Sequence, residues 1–356
     1  MQLGVIGFPS SGKSTIFNIL TNTDSSAGAF LGSSRGEFFT AGVKVPEPRL
    51  ETLGQLLKPK KTTYTQISFS EVGDLKVKDR RVGLPSSLLN QLAPVDGLIH
   101  VVRAFENDAI PHMAGSVDPQ RDVDEMEAEL ILNDLMLVER KLERLDEERG
   151  KGARDQSEIQ SEHSLFERLQ AHLNQDQGLR TLQFSQNDCR LLSGYGLLSR
   201  KPLLIILNHA ESDDPVLHNS PQDTSVINVR GRLELELDQL NEDENREFRI
   251  EYGVLEPARD LMIRAAYDLL SIISFFTFNE SELRAWALKE GGTALDAAET
   301  IHSDIARGFI RAEVIAWDEL VELGGLSQAR STGRLRVEGK GYQVKDGEMV
   351  YIRFNI

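Results

Sequence analysis

The strongest constraint on this chain is a run of eight residues close to its start. Gly7-Phe8-Pro9-Ser10-Ser11-Gly12-Lys13-Ser14 fits G-x-x-x-x-G-K-[ST], and Thr15 follows directly. The flanks matter as much as the pattern. Residues 2–6 are short and apolar, as a buried parallel strand requires, and Ile16, Phe17, Ile19 and Leu20 recur at helical spacing. A strand, a glycine-containing loop and a helix in that order turn successive backbone N–H groups toward one point at the helix N-terminus, which is an anion site. Gly7 and Gly12 permit the tight turn, and Pro9, Ser10 and Ser11 fill the loop between them. Lys13 is placed to neutralise β- and γ-phosphates, the Ser14 hydroxyl to ligate Mg²⁺, and Thr15 to contact an α-phosphate. The pattern therefore predicts an α/β fold around a parallel sheet and a ligand that carries a polyphosphate.

Further strand-like runs at Thr65–Phe69, Gly97–Val102 and Leu203–Leu207, separated by helical stretches, extend that sheet. Residues 22–42, rich in Ser, Gly, Ala and Thr, are expected to form a long functional loop. Between Asp122 and Gln177 the pattern changes. Ala128, Ile131, Leu135, Val138, Leu142 and Leu145 follow a 3-4 spacing that puts them on one seam of a helix. Glu148–Gln156 interrupts it, and Ile159, Phe166, Leu169 and Leu173 mark a second helix. The prediction is an antiparallel helical hairpin inserted into the α/β domain. From Ser274 the chain becomes β-rich: Leu283–Leu288 alternates, Thr293–Ile301 is helical, and Phe309–Ile315 and Met349–Phe354 are strand-like. Gly339, Gly341 and Gly347 punctuate hairpins there.

Charge narrows the partners. With 40 Lys and Arg against 56 Asp and Glu, the 356 residues carry a net charge of −16. That excludes a general nucleic-acid coat, which needs a basic surface. The distribution is uneven. Residues 121–180 hold 16 acidic and 9 basic residues, whereas Arg330, Arg334, Arg336, Lys340, Lys345 and Arg353 make the tail locally basic and suggest contact with RNA or an acidic partner. The single cysteine, Cys189, forms no internal disulfide and points to a reducing, cytoplasmic compartment. The N-terminus lacks a basic n-region, and no apolar run approaches the ~18 residues of a transmembrane helix, so no membrane role is expected.

Longer strings are more specific than the loop. VIGFPSSGKSTIFNILT, VPEPRLETLGQLLKP, HVVRAFENDAIPHMAGSVDPQRDVD, GFIRAEVIAWDEL and the closing RVEGKGYQVKDGEMVYIRFNI resemble the YchF/Obg-like ATPase family, within the Obg branch of translation-factor-related P-loop GTPases. The resemblance spans essentially the whole chain. It implies a P-loop nucleotide domain at 1–120 and 197–273, an inserted coiled-coil arm at 121–196, and a β-grasp TGS domain at 274–356. It also implies ATP in preference to GTP, Mg²⁺ as cofactor, and ribosome association, with the arm and the basic TGS domain as the contacts to the ribosome or its RNA. Asn208-His209-Ala210-Glu211 resembles the family's N-x-x-E. Asn208 would bond the purine, and Glu211 would stand where guanine readers carry Asp, with a longer side chain that does not reproduce that geometry.

The switch motifs depart from the family. Where the family carries D-x-x-G, this chain has Glu71-Val72-Gly73-Asp74. Glu71 would still hold Mg²⁺ through water, whereas Asp74 places a carboxylate where a glycine N–H normally reaches the γ-phosphate. Arg35 stands near the position of the switch threonine. His112 matches the family's water-orienting histidine, so Lys13 and His112 are the catalytic candidates. Two outcomes follow from this mixture: a hydrolase of low activity, or a catalytically impaired nucleotide-binding pseudo-enzyme that acts as a binding module.

Overall fold

The computed structural model describes residues 1–21, 38–72, 85–151, 154–210, 215–254 and 256–355. Along the chain the strands among them are β1 (Gln2–Ile6), β2 (Phe38–Lys44), β3 (Lys61–Thr63), β4 (Gln66–Val72), β5 (Gly97–Ala104), β6 (Leu203–His209), β7 (Thr224–Val229), β8 (Ile272–Phe278), β9 (Glu282–Lys289), β10 (Phe309–Ala316), β11 (Arg336–Glu338) and β12 (Glu348–Phe354). The chain divides into two compact units. One comprises Met1–Gly42 and Ser68–Met262, the other Val43–Ile67 and Ile263–Ile356.

The larger unit is built on a six-stranded sheet in the order β2-β4-β1-β5-β6-β7. β1 runs parallel to β4 and β5, β5 to β6, and β6 to β7. This is the parallel α/β sheet expected from the loop motif. β5 and β6 are almost wholly buried, which explains why they are apolar throughout instead of alternating. Two strands of this sheet escaped the sequence reading. β2 occupies the end of the expected 22–42 loop, whose residues 22–37 lie outside the described residues, and β7 is only half-buried and carries polar residues.

The inserted helices depart from the expected seam at one end. Pro119–Lys151 is a single helix of 33 residues, about 50 Å long. Ile131, Val138, Leu142 and Leu145 are buried as predicted, but Ala128 is exposed. The first turns of the helix lie against the sheet instead, where Val123, Met126 and Leu130 join the core of β5 and β6. The seam therefore begins only at Ile131. The second helix, Gln156–Leu173, is capped by the Asp155 carboxylate, which accepts from the Ser157 and Glu158 N–H groups. It buries Ile159, Phe166, Leu169 and Leu173. The pairing is antiparallel: Arg149 bonds Gln160, and Asp146 meets His163 at 3.1 Å.

The C-terminal unit has a mixed sheet in the order β11-β10-β12-β8-β9-β3. β8 and β9 form an antiparallel hairpin, β12 runs parallel to β8 at the centre, and β10 pairs antiparallel with β12. The helix Ala294–Ile301 covers one face, with Ala294, Ala297 and Ala298 against Phe275, Ala312, Val314 and Val350. Its small side chains allow close approach. This is a β-grasp arrangement. The other face is closed by Leu50 and Leu53 of the helix Pro48–Leu57, packed with Phe276, Leu283, Ile315 and Met349. β3, from the same early segment, adds the edge strand beside β9. The expected boundaries put the helix Pro48–Leu57 and β3 in the nucleotide domain; their contacts are with the C-terminal sheet. Leu50 and Leu53 have no apolar signal of their own that names the sheet they cover, so the sequence pattern could not reveal this.

The tail is less basic than its residues suggest. Arg334 pairs with Glu319 at 2.5 Å, Arg353 with Glu313 at 3.0 Å, and Arg336 with the buried Glu348. Residues 43–67 hold 5 Lys/Arg and 2 Asp/Glu, and 263–356 hold 11 and 14, so the unit carries 16 of each. The net charge of −16 therefore resides in the larger unit.

Asp134 ties the long helix to the segment entering β6. Its carboxylate accepts from Leu198 N at 2.9 Å, Ser199 N at 2.7 Å and Ser199 Oγ at 2.6 Å. Burial, opposed by these bonds, pushes the carboxyl from 3.8 up to about 6. The folded chain thus takes up this proton at higher pH than the unfolded chain. The group's contribution to stability is complete below 3.8 and is lost as pH rises through about 6. Relative to Asp134→Asn, wild type should lose on the order of 2–3 kcal/mol between pH 4 and pH 7 in urea denaturation. A pH-independent gap between the two proteins would contradict this assignment.

Candidate nucleotide-binding site

The motif residues form a closed loop between β1 and the helix Lys13–Thr21. Gly7 has φ +154°, and a Cβ there would stand 2.5 Å from the Val101 carbonyl on β5. Gly12 has φ +91°, and a Cβ there would collide with the Asn208 amide. Both positions therefore demand glycine, for close approach as well as for the turn. Ile16 N donates to Gly12 O at 2.9 Å, so the helix begins within the motif. Lys13 is buried, and its Nζ donates to the carbonyls of Gly7 at 3.0 Å and Phe8 at 3.2 Å. Ser10 and Ser14 are exposed, Pro9 and Thr15 are half-buried, and Ser11 is buried.

Asn208, the penultimate residue of β6, is the crosslink. Its Nδ2 donates to Ser11 O at 3.0 Å, and its Oδ1 accepts from Gly231 N at 3.3 Å. One buried amide thus joins the loop to the start of the helix Gly231–Leu237. Gly231 went unrecognised in the sequence. A Cβ there would approach Asn208 Oδ1 to 2.7 Å and Thr15 Cγ2 to 3.2 Å. Beside this crosslink lies a cleft of about 640 Å³, walled by Gly12, Thr15, Asn208 and His209 on one side and by Phe105–Asn107, Arg230, Arg232 and Leu233 on others. That volume accommodates a nucleoside. It opens at the C-terminal ends of β5 and β6, where open α/β sheets place ligands.

The metal candidates also meet. Ser14 Oγ donates to Glu71 Oε1 at 2.5 Å. A hydroxyl and a carboxylate oxygen side by side are the hard donors that Mg²⁺ takes. They fit the cofactor, and the longer Glu side chain still reaches the loop. Glu211, Gly73, Asp74 and Arg35 lie outside the described residues.

His100, under the loop on β5, is buried and edge-on to Phe8 at 6.4 Å. Burial, reinforced by the Lys13 charge, pushes it down to about 3. It stays uncharged, adding no further cation below the loop. His112 stands elsewhere in the unit, at the entry to the long helix. Its Nδ1 accepts from Ala114 N at 3.2 Å and lies 3.3 Å from Arg121 Nη2. That places the ring proton on Nε2, which donates to Asp122 Oδ2 at 2.9 Å. Both ring nitrogens are engaged, and Asp122 and Arg121 were not foreseen as its partners.

Sheet, loop and cleft together define a P-loop nucleotide-binding protein. The family model YchF-GTPase_C, described as "Protein of unknown function (DUF933)", matches residues 272–355. The "Ribosome-binding ATPase YchF" of Bacillus subtilis (strain 168) is 36% identical over 100% of both chains. The protein of the same name from Escherichia coli O157:H7 is 33% identical over 100% of this chain and 99% of its own. The solved structure of the Schizosaccharomyces pombe YchF GTPase superposes with a TM-score of 0.83 at 27% identity, covering 99% of this chain and 97% of that one. The chain belongs to the YchF family.

The crosslink predicts a defect independent of ligand. Asn208→Ala leaves the buried Gly231 N–H and the Ser11 carbonyl without their partner, at a cost of about 1–3 kcal/mol. Urea denaturation without nucleotide should show that loss. Unchanged stability would mean the amide does not hold the loop.

Proposed function

We propose that this chain is a Mg²⁺-dependent purine-nucleotide hydrolase that prefers ATP and works on the ribosome in the cytoplasm. The observation that carries the catalytic reading is the assembled loop: buried Lys13, Ser14 against Glu71, and the Asn208 crosslink beside a nucleoside-sized cleft. The ribosome enters from the relatives' names, which read "Ribosome-binding ATPase YchF". The helical arm and the C-terminal β-grasp unit are the surfaces proposed for it. With Arg334, Arg336 and Arg353 in ion pairs, shape and neutral polar contacts carry more of that surface than net positive charge.

In this reading the loop N–H groups bind the β-phosphate, and the Lys13 ammonium spans the β- and γ-phosphates. Bound through Ser14 and Glu71, Mg²⁺ would neutralise charge on the phosphate oxygens. Asn208 faces the purine from the end of β6, and Glu211 disfavours guanine. His112 orients the attacking water. With Nε2 held by Asp122 and Nδ1 by Ala114 and Arg121, that role requires the ring to leave this bonding.

A second reading, a nucleotide-binding module with impaired catalysis, is favoured by those engaged ring nitrogens and by Asp74 in place of glycine. Steady-state phosphate release with Mg²⁺ decides between them. For the hydrolase, Lys13→Ala should abolish turnover, and His112→Ala should lower kcat about 10²–10⁴-fold with little change in nucleotide affinity. Equal trace rates in wild type and Lys13→Ala would support the module instead.

A further inference from the structure

β5 ends in an arginine that the reaction above does not use. Arg103 is 2% exposed, the largest fully buried side chain among the described residues. Among those residues no carboxylate pairs with it. Its two hydrogen bonds go to backbone carbonyls, Nε to Phe105 O at 3.1 Å and Nη2 to Ile110 O at 2.8 Å, and Nη1 is buried without a hydrogen-bond partner among the described residues. Its guanidinium carbon lies 4.8 Å from the centroid of the Phe105 ring. Burying a guanidinium without a counter-charge is costly, and the two carbonyl bonds that offset this cost fix the backbone that accepts them.

That geometry is the segment between its two acceptors. Residues 106–111 are exposed, so burial does not hold them. Within the segment, Ile110 N donates to Asn107 O and Ala109 N to Asn107 Oδ1, a local turn. Arg103 ties both ends of this turn to the sheet, and its planar fork is suited to two carbonyls at once. Phe105, Glu106 and Asn107 in turn form a wall of the cleft that Gly12, Thr15 and Asn208 line from the loop side.

We propose that Arg103 is the positioning residue for the nucleoside half of the site: it clamps Phe105–Ile110 so that the Phe105 wall meets the purine. It touches neither base nor phosphate and acts through Phe105. This rests on the reading of the cleft as the nucleoside site. The phosphate half, held by the loop and Asn208, does not depend on it. Loss of the clamp therefore weakens binding of the nucleoside part and leaves polyphosphate binding alone.

The test is calorimetric titration of the full-length protein, with Mg²⁺, using ATP and inorganic tripolyphosphate as separate probes. Wild type binds ATP more tightly than tripolyphosphate. Arg103→Met should lower ATP affinity about tenfold and change tripolyphosphate affinity less than about twofold. Arg103→Lys, which keeps the charge but loses the fork, and Phe105→Ala should give the same selective loss. The double variant Arg103→Met/Phe105→Ala should lose no more than either alone, because both act through one wall. If Arg103→Met does not fold, the Lys and Phe105 variants carry the test. An unchanged ratio of ATP to tripolyphosphate affinity in Arg103→Lys, or an equal drop for both probes, overturns the proposal. Failure of wild type to bind either probe overturns the nucleotide reading beneath it, which is a different result.

Discussion

A single buried amide determines how much of the nucleotide site exists before any ligand arrives. Asn208 holds the loop through Ser11 O and the next helix through Gly231 N. Gly12 and Gly231 are required because any Cβ at either position would strike that amide. The loop is thus pinned at its centre, not only at its ends on β1 and the first helix. Its N–H groups are oriented by the fold, so the ligand need not pay for ordering them. The cost is rigidity of sequence: three segments far apart in the chain must keep Gly12, Asn208 and Gly231 together.

The rest of the chain is organised around the same economy of contacts. The long helix is fixed to the sheet by Val123, Met126 and Leu130, and to the β6 entrance by Asp134, before it leaves to form the arm. In the C-terminal unit the segment 43–67 contributes a helix and an edge strand to a sheet that would otherwise show an open apolar face at Phe276 and Met349. That segment lies in the sequence between Arg35 and Glu71. The charge pattern follows the same division, with the net negative charge confined to the larger unit and the tail arginines spent on internal pairs.

The sequence disclosed the parts whose chemistry is local. The loop motif, the apolar runs of β5 and β6, the seam from Ile131 to Leu145 and the strand-like runs at 309–315 and 349–354 all depend on residues close to one another in the chain, and each forms as expected. Asn208 was identified by its motif, but its role as a crosslink was not, because its partners Ser11 and Gly231 are joined to it only by the fold. The same holds for Asp122 beside His112 and for Arg103 beneath Phe105. Ala128 was misjudged because heptad spacing does not say where a helix changes the surface it packs against. The packing of the helix Pro48–Leu57 against the second sheet was hidden for a similar reason: Leu50 and Leu53 announce an apolar face, not its partner.

The central claim is that the loop is a working nucleotide site and not a remnant of one. Calorimetric titration of wild type with ATP and with GTP, each with and without Mg²⁺, tests it most directly. The proposed function predicts saturable binding of ATP, tightened by Mg²⁺ through Ser14 and Glu71, and the proposed reading of Glu211 predicts weaker binding of GTP. Absence of binding heat for either nucleotide, with no rise in melting temperature at millimolar nucleotide, would contradict it.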